Sequence, residues 1–130
     1  MYAIKVDSLP AFDVFCDQTT AGGVWTVFQK RLDGKVDFYL NWSDYKVGFG
    51  DLNGEFWLGL GKIHHLTSSD SNMLRVDLED FGGNTRFAKY DMFSVMSEND
   101  NYKLNLGTYS GMTIFYYFTQ SCDSTALQTG

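Results

Sequence analysis

The sequence is poor in cysteine, in basic residues and in long hydrophobic runs, and each shortage excludes a class of protein. Its only cysteines, Cys16 and Cys122, lie far apart without C-x-x-C spacing, which excludes the usual zinc and thioredoxin-like motifs. Ten Lys and Arg stand against 16 Asp and Glu in 130 residues. The resulting net charge of −6 makes nucleic acid an unfavourable partner.

No stretch is long enough to cross a membrane as a helix. The run "MTIFYYF", residues 112–118, is far shorter than the ~20 apolar residues that a spanning helix needs. We therefore expect no membrane span. The first twelve residues alternate in polarity and lack the basic start and apolar stretch of a signal peptide. Two interpretations stay open at this point: a cytosolic chain, or a secreted one whose true beginning is missing.

Aromatic side chains, in contrast, are abundant. Eleven Phe and eight Tyr contribute to a hydrophobic fraction of 44%, enough material for one core in a single domain. Alternating patterns predict short strands in residues 2–6, 12–16 and 23–31, with Trp25 and Val27 or Phe28 facing inward. Three later runs also have strand character, at residues 73–81, 85–96 and 102–111.

Two short helices are predicted between these groups of strands. Asn41 is a good N-cap for a helix that ends at Gly48. A second helix is predicted from Glu55, where Phe56, Leu60 and Ile63 recur near helical spacing. Strands followed by helices and then strands predict an α+β domain, with a small N-terminal antiparallel unit and a central mixed sheet.

Carboxylates offer one route to catalysis. Asp77, Glu79 and Asp80 could supply the pair that glycoside hydrolysis requires. However, Asp77 and Glu79 alternate with Val76 and Leu78, as expected for a solvated strand face over a buried one. We therefore predict no catalytic residues.

Metal and phosphate motifs are also incomplete. His64 and His65 are adjacent, whereas helical metal ligands recur at i and i+4. "DSNMLR" begins like a calcium loop, but Arg75 occupies the position where the EF-hand turn needs Gly. Neither G-x-G segment, at residues 48–54 or 59–65, completes a dinucleotide-binding fingerprint. We predict no metal and no cofactor.

Four stretches resemble one known family, the fibrinogen-like domain of fibrinogen, ficolins, tenascins and angiopoietins. They are "FDVFCD", the long segment from "GGVWTVFQKR" through "NWSDYKVGFGDLNGEFWLG" to "KIHHLT", "LRVDLEDFGGNTRFAKYDMFSV" and "YKLNLGTYSG". Spacing agrees over residues 2–111. One departure is Val24, where the family usually has a third Gly before Trp25.

The resemblance implies a fold and a set of roles. Trp42, Phe49, Phe56 and Trp57 are expected to pack an irregular core rather than to form a carbohydrate platform. Cys16 matches a family cysteine that pairs with an upstream one, and residues 1–15 contain none. Its disulfide partner is therefore expected outside this chain.

The sequence departs from the family after Gly111. Residues 112–130 match neither the family's Asp-rich calcium loop nor its Cys-Cys pair and ligand pocket, so we expect a partial domain at 2–111 and a divergent tail at 112–130. Asp123 alone cannot form a calcium site. Cys122 has no assigned partner. The tail's aromatics, Phe115–Phe118, are expected to be exposed and to promote association.

The function implied by the resemblance is non-catalytic extracellular recognition of proteins or glycans, here without the family's own ligand pocket. An alternative is a truncated regulatory or inert product that associates with other chains as an oligomer. A glycosidase is a third, weaker hypothesis. The only standard N-glycosylation sequence is Asn41-Trp42-Ser43. Asn41 is therefore both a glycosylation candidate and a helix cap, and these two uses are expected to compete.

Overall fold

The structure is a computed structural model, and it describes residues 1–5, 9–68, 70–111 and 125–129, the last range as backbone only. Strands predominate and two α-helices, α1 Trp42–Val47 and α2 Leu60–Ser68, lie between them. The strands are β1 Tyr2–Ile4, β2 Phe12–Asp17, β3 Trp25–Lys30, β4 Phe49–Gly50, β5 Phe56–Trp57, β6 Leu74–Glu79, β7 Thr85–Tyr90, β8 Phe93–Val95, β9 Leu104–Leu106, β10 Tyr109–Gly111 and β11 Thr125–Thr129. The α+β class and the two short helices are confirmed.

A nine-stranded sheet forms the body of the molecule. Its main path runs β1-β2-β3-β11-β6-β7-β10, while β5 pairs with β3 and β4. Strands β8 and β9 form a separate two-stranded sheet. The strand pairs of the described residues are all antiparallel, so β3 and β6, which both pair with β11, run in the same direction.

Strand β11 occupies the centre of this sheet. It pairs with β3 through Ala126↔Lys30 and with β6 through Leu127↔Val76. Residues 125–129 fall in the segment expected to be a divergent tail, and the domain division at residue 111 stays a prediction. The aromatic residues 115–118, together with Cys122 and Asp123, lie outside the described residues.

The core lies between the sheet and α2. Its largest fully buried side chains are Phe56, Ile63, Val14 and Val27. Phe28 stacks on Phe93 with ring centroids 5.4 Å apart. The inward orientation predicted for β3 is confirmed, because Trp25, Val27 and Phe28 are all buried.

The predicted second helix begins later than expected. Phe56 and Trp57 are not helical: they form β5, which pairs with Lys30 and Gln29 of β3. Helix α2 begins only at Leu60, after Gly59. Gly59 has a φ of +111°, and a Cβ there would collide with the carbonyl of Val47. Long-range strand pairing therefore overrides the local helical spacing.

Two of the predicted strand runs each divide into two strands. Residues 85–96 form β7 and β8, which belong to different sheets, and residues 102–111 form β9 and β10. The break follows from Asp91, whose carboxylate accepts a hydrogen bond from the backbone N–H of Thr108 at 2.6 Å. This bond joins the β7–β8 break to the β9–β10 break, so the two breaks lie side by side.

The resemblance predicts four aromatic residues in the core, and for Trp42 this prediction is wrong. Phe56 is buried and Trp57 packs against the core, where its Nε1 donates to the carbonyl of Tyr45 at 2.8 Å. Phe49 is half-buried. Trp42, in contrast, is 52% exposed and rests on Tyr102, because it lies on the outer side of a helix of only six residues.

No helix in the described ranges is long and apolar enough to span a bilayer. The longest, α2, has nine residues.

Helix α1 begins with the predicted cap. Oδ1 of Asn41 accepts a hydrogen bond from the backbone N–H of Asp44 at 3.0 Å. The Asp44 carboxylate accepts one from the N–H of Asn41 at 3.4 Å, which completes a capping box. A helix this short depends on such contacts, because its own propagation offsets little of the cost of nucleation.

We expect Asn41→Ala to lower the free energy of unfolding by about 1 kcal/mol, because the Asp44 N–H loses its acceptor. Asn41→Asp keeps a cap oxygen and should unfold at nearly the wild-type urea concentration. Equal midpoints for the Ala and Asp variants would contradict the assigned role of the cap.

Candidate functional site

Glu55 makes the densest polar contacts of the described residues. It precedes β5 and is only 3% exposed. Its Oε1 accepts hydrogen bonds from the backbone N–H groups of Leu32 at 2.7 Å, Asp33 at 3.0 Å and Gly34 at 2.9 Å. Its Oε2 accepts one from Val36 at 2.9 Å. One carboxylate thus fixes the loop that follows β3.

The electrostatics of Glu55 show that it is ionised. Burial raises the pKa of this carboxyl, but the four backbone N–H donors outweigh burial and lower the pKa to about 2. Arg31 lies beside it, with Nε 3.5 Å from Oε1, and the guanidinium stacks on Phe38 at 3.9 Å. An acid or base catalyst must exchange a proton near neutral pH, so Glu55 is suited to holding structure and not to that task.

The carboxylates of the catalytic hypothesis also have structural partners. Asp77 accepts hydrogen bonds from Nε and Nη2 of Arg75, the shortest at 2.9 Å. Asp80 accepts from the backbone and side-chain amides of Asn84, and these bonds lower its pKa. Glu79 is exposed, as expected for a solvated face.

The face expected to be solvated is only partly so. The Asp77 side chain is 32% exposed, because Arg75 lies against it and also stacks over Phe87 at 4.2 Å. Val76 and Leu78 are half-buried on the other side of the strand. The strand therefore carries an ion pair in place of a free pair of carboxylates.

Of the two adjacent histidines, His64 joins helix α2 to strand β8. Nδ1 of His64 lies 2.7 Å from the carbonyl of Val95, and since a carbonyl only accepts, this nitrogen carries the proton. Thr67 reinforces the same junction by accepting from the N–H of Val95 at 3.1 Å. The residues that the structure describes include no group of three His, Cys, Asp or Glu side chains placed to hold a metal.

A shallow concavity of about 290 Å³ lies where β2 ends and β3 begins. Its size is at the lower limit of ligand pockets, which span about 300–1,000 Å³. The residues that line it are Tyr2, Cys16, Gln18, Gly22, Gly23, Val24, Trp25 and Thr26.

Cys16 is a free thiol in this concavity. Strand β1 pairs with β2 only as far as Tyr2↔Val14, so Cys16 lies two residues beyond the paired part of β2 on that side. The disulfide itself, like glycosylation of Asn41, stays a prediction.

One residue that lines this concavity has a strained backbone. Val24 has a φ of +67° and is 84% exposed. A β-branched residue seldom adopts this left-handed conformation, whereas glycine does so at little cost. The structure therefore gives a physical reason for the glycine that the resemblance led us to expect at this position.

Comparison with known proteins identifies close relatives of the chain. The family model for the C-terminal globular domain of fibrinogen beta and gamma chains matches residues 1–128. Human fibroleukin is 54% identical over 101 residues, which make up 78% of this chain and 23% of that protein. Bovine fibroleukin matches to the same extent. The chain thus spans about a quarter of the length of these curated relatives.

Solved structures agree with the sequence comparison. The fibrinogen-like globe domain of human ANGPTL6 has a TM-score of 0.83 at 45% identity, over 88% of this chain and 51% of that one. That of human ANGPTL2 has a TM-score of 0.85 at 43% identity, over 88% and 53%. A lamprey fibrin D-dimer, solved with the peptide Gly-His-Arg-Pro-amide, has a TM-score of 0.76 at 38% identity and covers 88% of this chain and 38% of its own.

We expect Glu55→Gln to destabilise the protein by about 3 kcal/mol at pH 7, because an amide group replaces one oxygen and the charge is lost. The folded-state pKa of about 2 is below the usual 4.5, so the stability from this charge is complete above pH 4.5 and falls between pH 4.5 and 2. Urea unfolding should be measured from pH 7 to 3. The difference in free energy of unfolding between wild type and Glu55→Gln should decrease as the pH falls.

The matched control for this experiment is Glu79→Gln, which removes the same charge from an exposed side chain. It should leave the urea midpoint nearly unchanged at pH 7. If the difference in free energy of unfolding between wild type and Glu55→Gln stays constant down to pH 3, the role given to this carboxylate is contradicted.

We expect Val24→Gly to stabilise the protein by about 1 kcal/mol, because relief of the left-handed strain exceeds the added chain entropy of glycine. Little burial is lost, since the side chain is mostly exposed. Val24→Ala keeps a Cβ and should gain less. A lower urea midpoint for Val24→Gly than for wild type would show that the strain is not relieved.

Proposed function

The chain belongs to the family of the C-terminal globular domain of fibrinogen beta and gamma chains, and on this basis we propose that it serves as a non-catalytic extracellular recognition module. The observation that carries the proposal is the family match over residues 1–128, together with the fibroleukin and angiopoietin-like relatives. The extracellular setting is part of the proposal and follows from the same resemblance.

The polar groups of the described residues support a non-catalytic role. Glu55, Asp77 and Asp80 are each engaged by donors from the protein itself. His64 is held by a backbone carbonyl. A catalytic group needs a free atom directed at substrate and a partner that tunes it, and these contacts leave no such pair assembled.

Recognition of a protein ligand is the class that we favour. The lamprey relative was solved with a peptide ligand, and its structural match covers 88% of this chain. In this chain, however, the concavity beside Cys16 is small and shallow. We therefore propose that residues 2–111 supply the scaffold of a recognition module and not its ligand pocket.

A second function is favoured by the sheet edges. Strands β1 and β10 end the main path of the sheet, and Tyr2 on β1 is 52% exposed. Edge strands accept strands from other chains, which suits a regulatory product that associates with a partner or with a second copy. Light scattering over a range of concentrations discriminates the two functions: a constant monomer favours the scaffold, and a concentration-dependent dimer favours association.

We expect titration calorimetry to detect no saturable binding of calcium and none of Gly-His-Arg-Pro-amide, with or without calcium. A calcium site collects six to eight oxygens, and the described residues assemble no cluster of acidic side chains for it. Micromolar binding of either ligand would overturn the assignment of this chain as scaffold alone.

Turnover of chromogenic glycosides provides the control for catalysis. Wild type, Asp77→Asn and Glu79→Gln should be equally inactive. An activity in wild type that either substitution abolishes would replace the recognition proposal with the glycosidase hypothesis.

A further inference from the structure

The sequence Asn41-Trp42-Ser43 stands at the start of α1, where Asn41 caps the helix. All three residues are exposed. They follow the loop that Glu55 fixes, so the glycosylation sequence is held on the outside of the folded protein. Accessibility is the first requirement for a side chain that carries a large hydrophilic group.

The two uses of Asn41 involve different atoms. Its Oδ1 accepts the capping hydrogen bond from Asp44. Its Nδ2, the atom that bears an N-linked sugar, forms no hydrogen bond to the protein across the described ranges. A glycosylated asparagine keeps its carbonyl oxygen. The expected competition between cap and sugar therefore has no basis in the geometry.

The surroundings of Asn41 are unusually apolar for a surface. Tyr39 is 97% exposed, Leu40 39% and Trp42 52%. Tyr39 is held outward by the bond from its N–H to Oδ1 of Asp37 at 2.8 Å, and Trp42 has one face on Tyr102. Exposed apolar side chains this close together mark a candidate contact surface.

We propose that Asn41 carries an N-linked glycan while keeping its helix cap, and that this glycan covers the aromatic surface formed by Tyr39, Leu40 and Trp42. The transfer uses a lipid diphosphate-linked oligosaccharide as co-reactant. Nδ2 bonds to the anomeric carbon and loses one proton, while the bond from that carbon to the diphosphate oxygen breaks and the lipid diphosphate leaves with the electron pair. The inference rests on the proposed extracellular function, because the transfer occurs in the secretory pathway.

The test is translation of the full chain, fused to a cleavable signal sequence, in the presence of endoplasmic reticulum microsomes. Only protease-protected chain is analysed, so every molecule scored has entered the lumen. We expect one glycan's mass, removed by endoglycosidase, in wild type and in Ser43→Thr. It should be absent from Asn41→Gln and Ser43→Ala. Protected wild-type chain without the added mass, or added mass in Asn41→Gln, would overturn the proposal.

Retention of the cap is tested on folded protein trimmed by endoglycosidase to a single N-acetylglucosamine. Its urea midpoint should equal or exceed that of Ser43→Ala, which has the cap and no sugar. A midpoint as low as that of Asn41→Ala would show that the sugar displaces the cap.

Coverage of the surface is tested by acrylamide quenching of tryptophan fluorescence. Trp25 is buried and Trp57 packs against the core, so Trp42 should account for most of the quenching. We expect the full glycan to reduce quenching in wild type but not in Trp42→Phe, which keeps the glycosylation sequence. Equal quenching with and without glycan in wild type would contradict coverage.

The supplied signal sequence separates this inference from the proposed function. If the chain reaches the lumen and carries no glycan, the glycosylation proposal fails and the recognition proposal is unaffected. The ligand titrations and glycoside assays test the recognition module in protein that needs no glycan.

Discussion

The hydrogen bonds to the Glu55 carboxylate are the interaction on which the loop after β3 and the helix α1 depend. Four backbone N–H groups that follow β3 have no strand partner, and a loop with so many unpaired donors near the core would be costly without an acceptor. One ionised side chain satisfies all of them. Because the same carboxylate is buried, it needs these donors as much as they need it, and the loop and the β4–β5 turn can form only together.

The consequences extend outward from Glu55 in steps. The fixed loop brings Phe38 against Arg31 and Phe49, and the carbonyl of Phe38 accepts a hydrogen bond from the Tyr45 hydroxyl at 2.7 Å. Tyr45 in turn lies against Trp57 and places α1 over the core. A six-residue helix with no buried residue of its own is thus positioned from both sides by aromatic contacts. This explains how an irregular segment rich in glycine can have one conformation.

Sequence reasoning succeeded where the physical cause is local. The Asn41 cap depends on a residue three positions away, and the alternation in β2 and β3 depends on one buried face, so short patterns contain the necessary information. It failed where the cause is distant. Phe56 and Trp57 fit a helical pattern but pair with β3, whose partner residues lie 26 and 28 positions earlier in the chain. Glu55 looked like an ordinary helix-start residue, since its partners lie 19–23 positions away. Trp42 was assigned to the core by the family resemblance, although its helix has a solvent side.

The charged side chains described above hold loops and strands in place. Glu55 is satisfied by the loop that follows β3, Asp77 by Arg75, and the exposed Asp91 by the N–H of Thr108 before β10. Charges used in this way give one well-defined arrangement of loops. A scaffold of this kind can gain a function by what is attached to it or bound across it, without any change in its interior. The bonds that fix the loop after β3 are made by its backbone N–H groups, so the solvent-facing side chains of residues 32–36 can vary while the loop keeps its conformation.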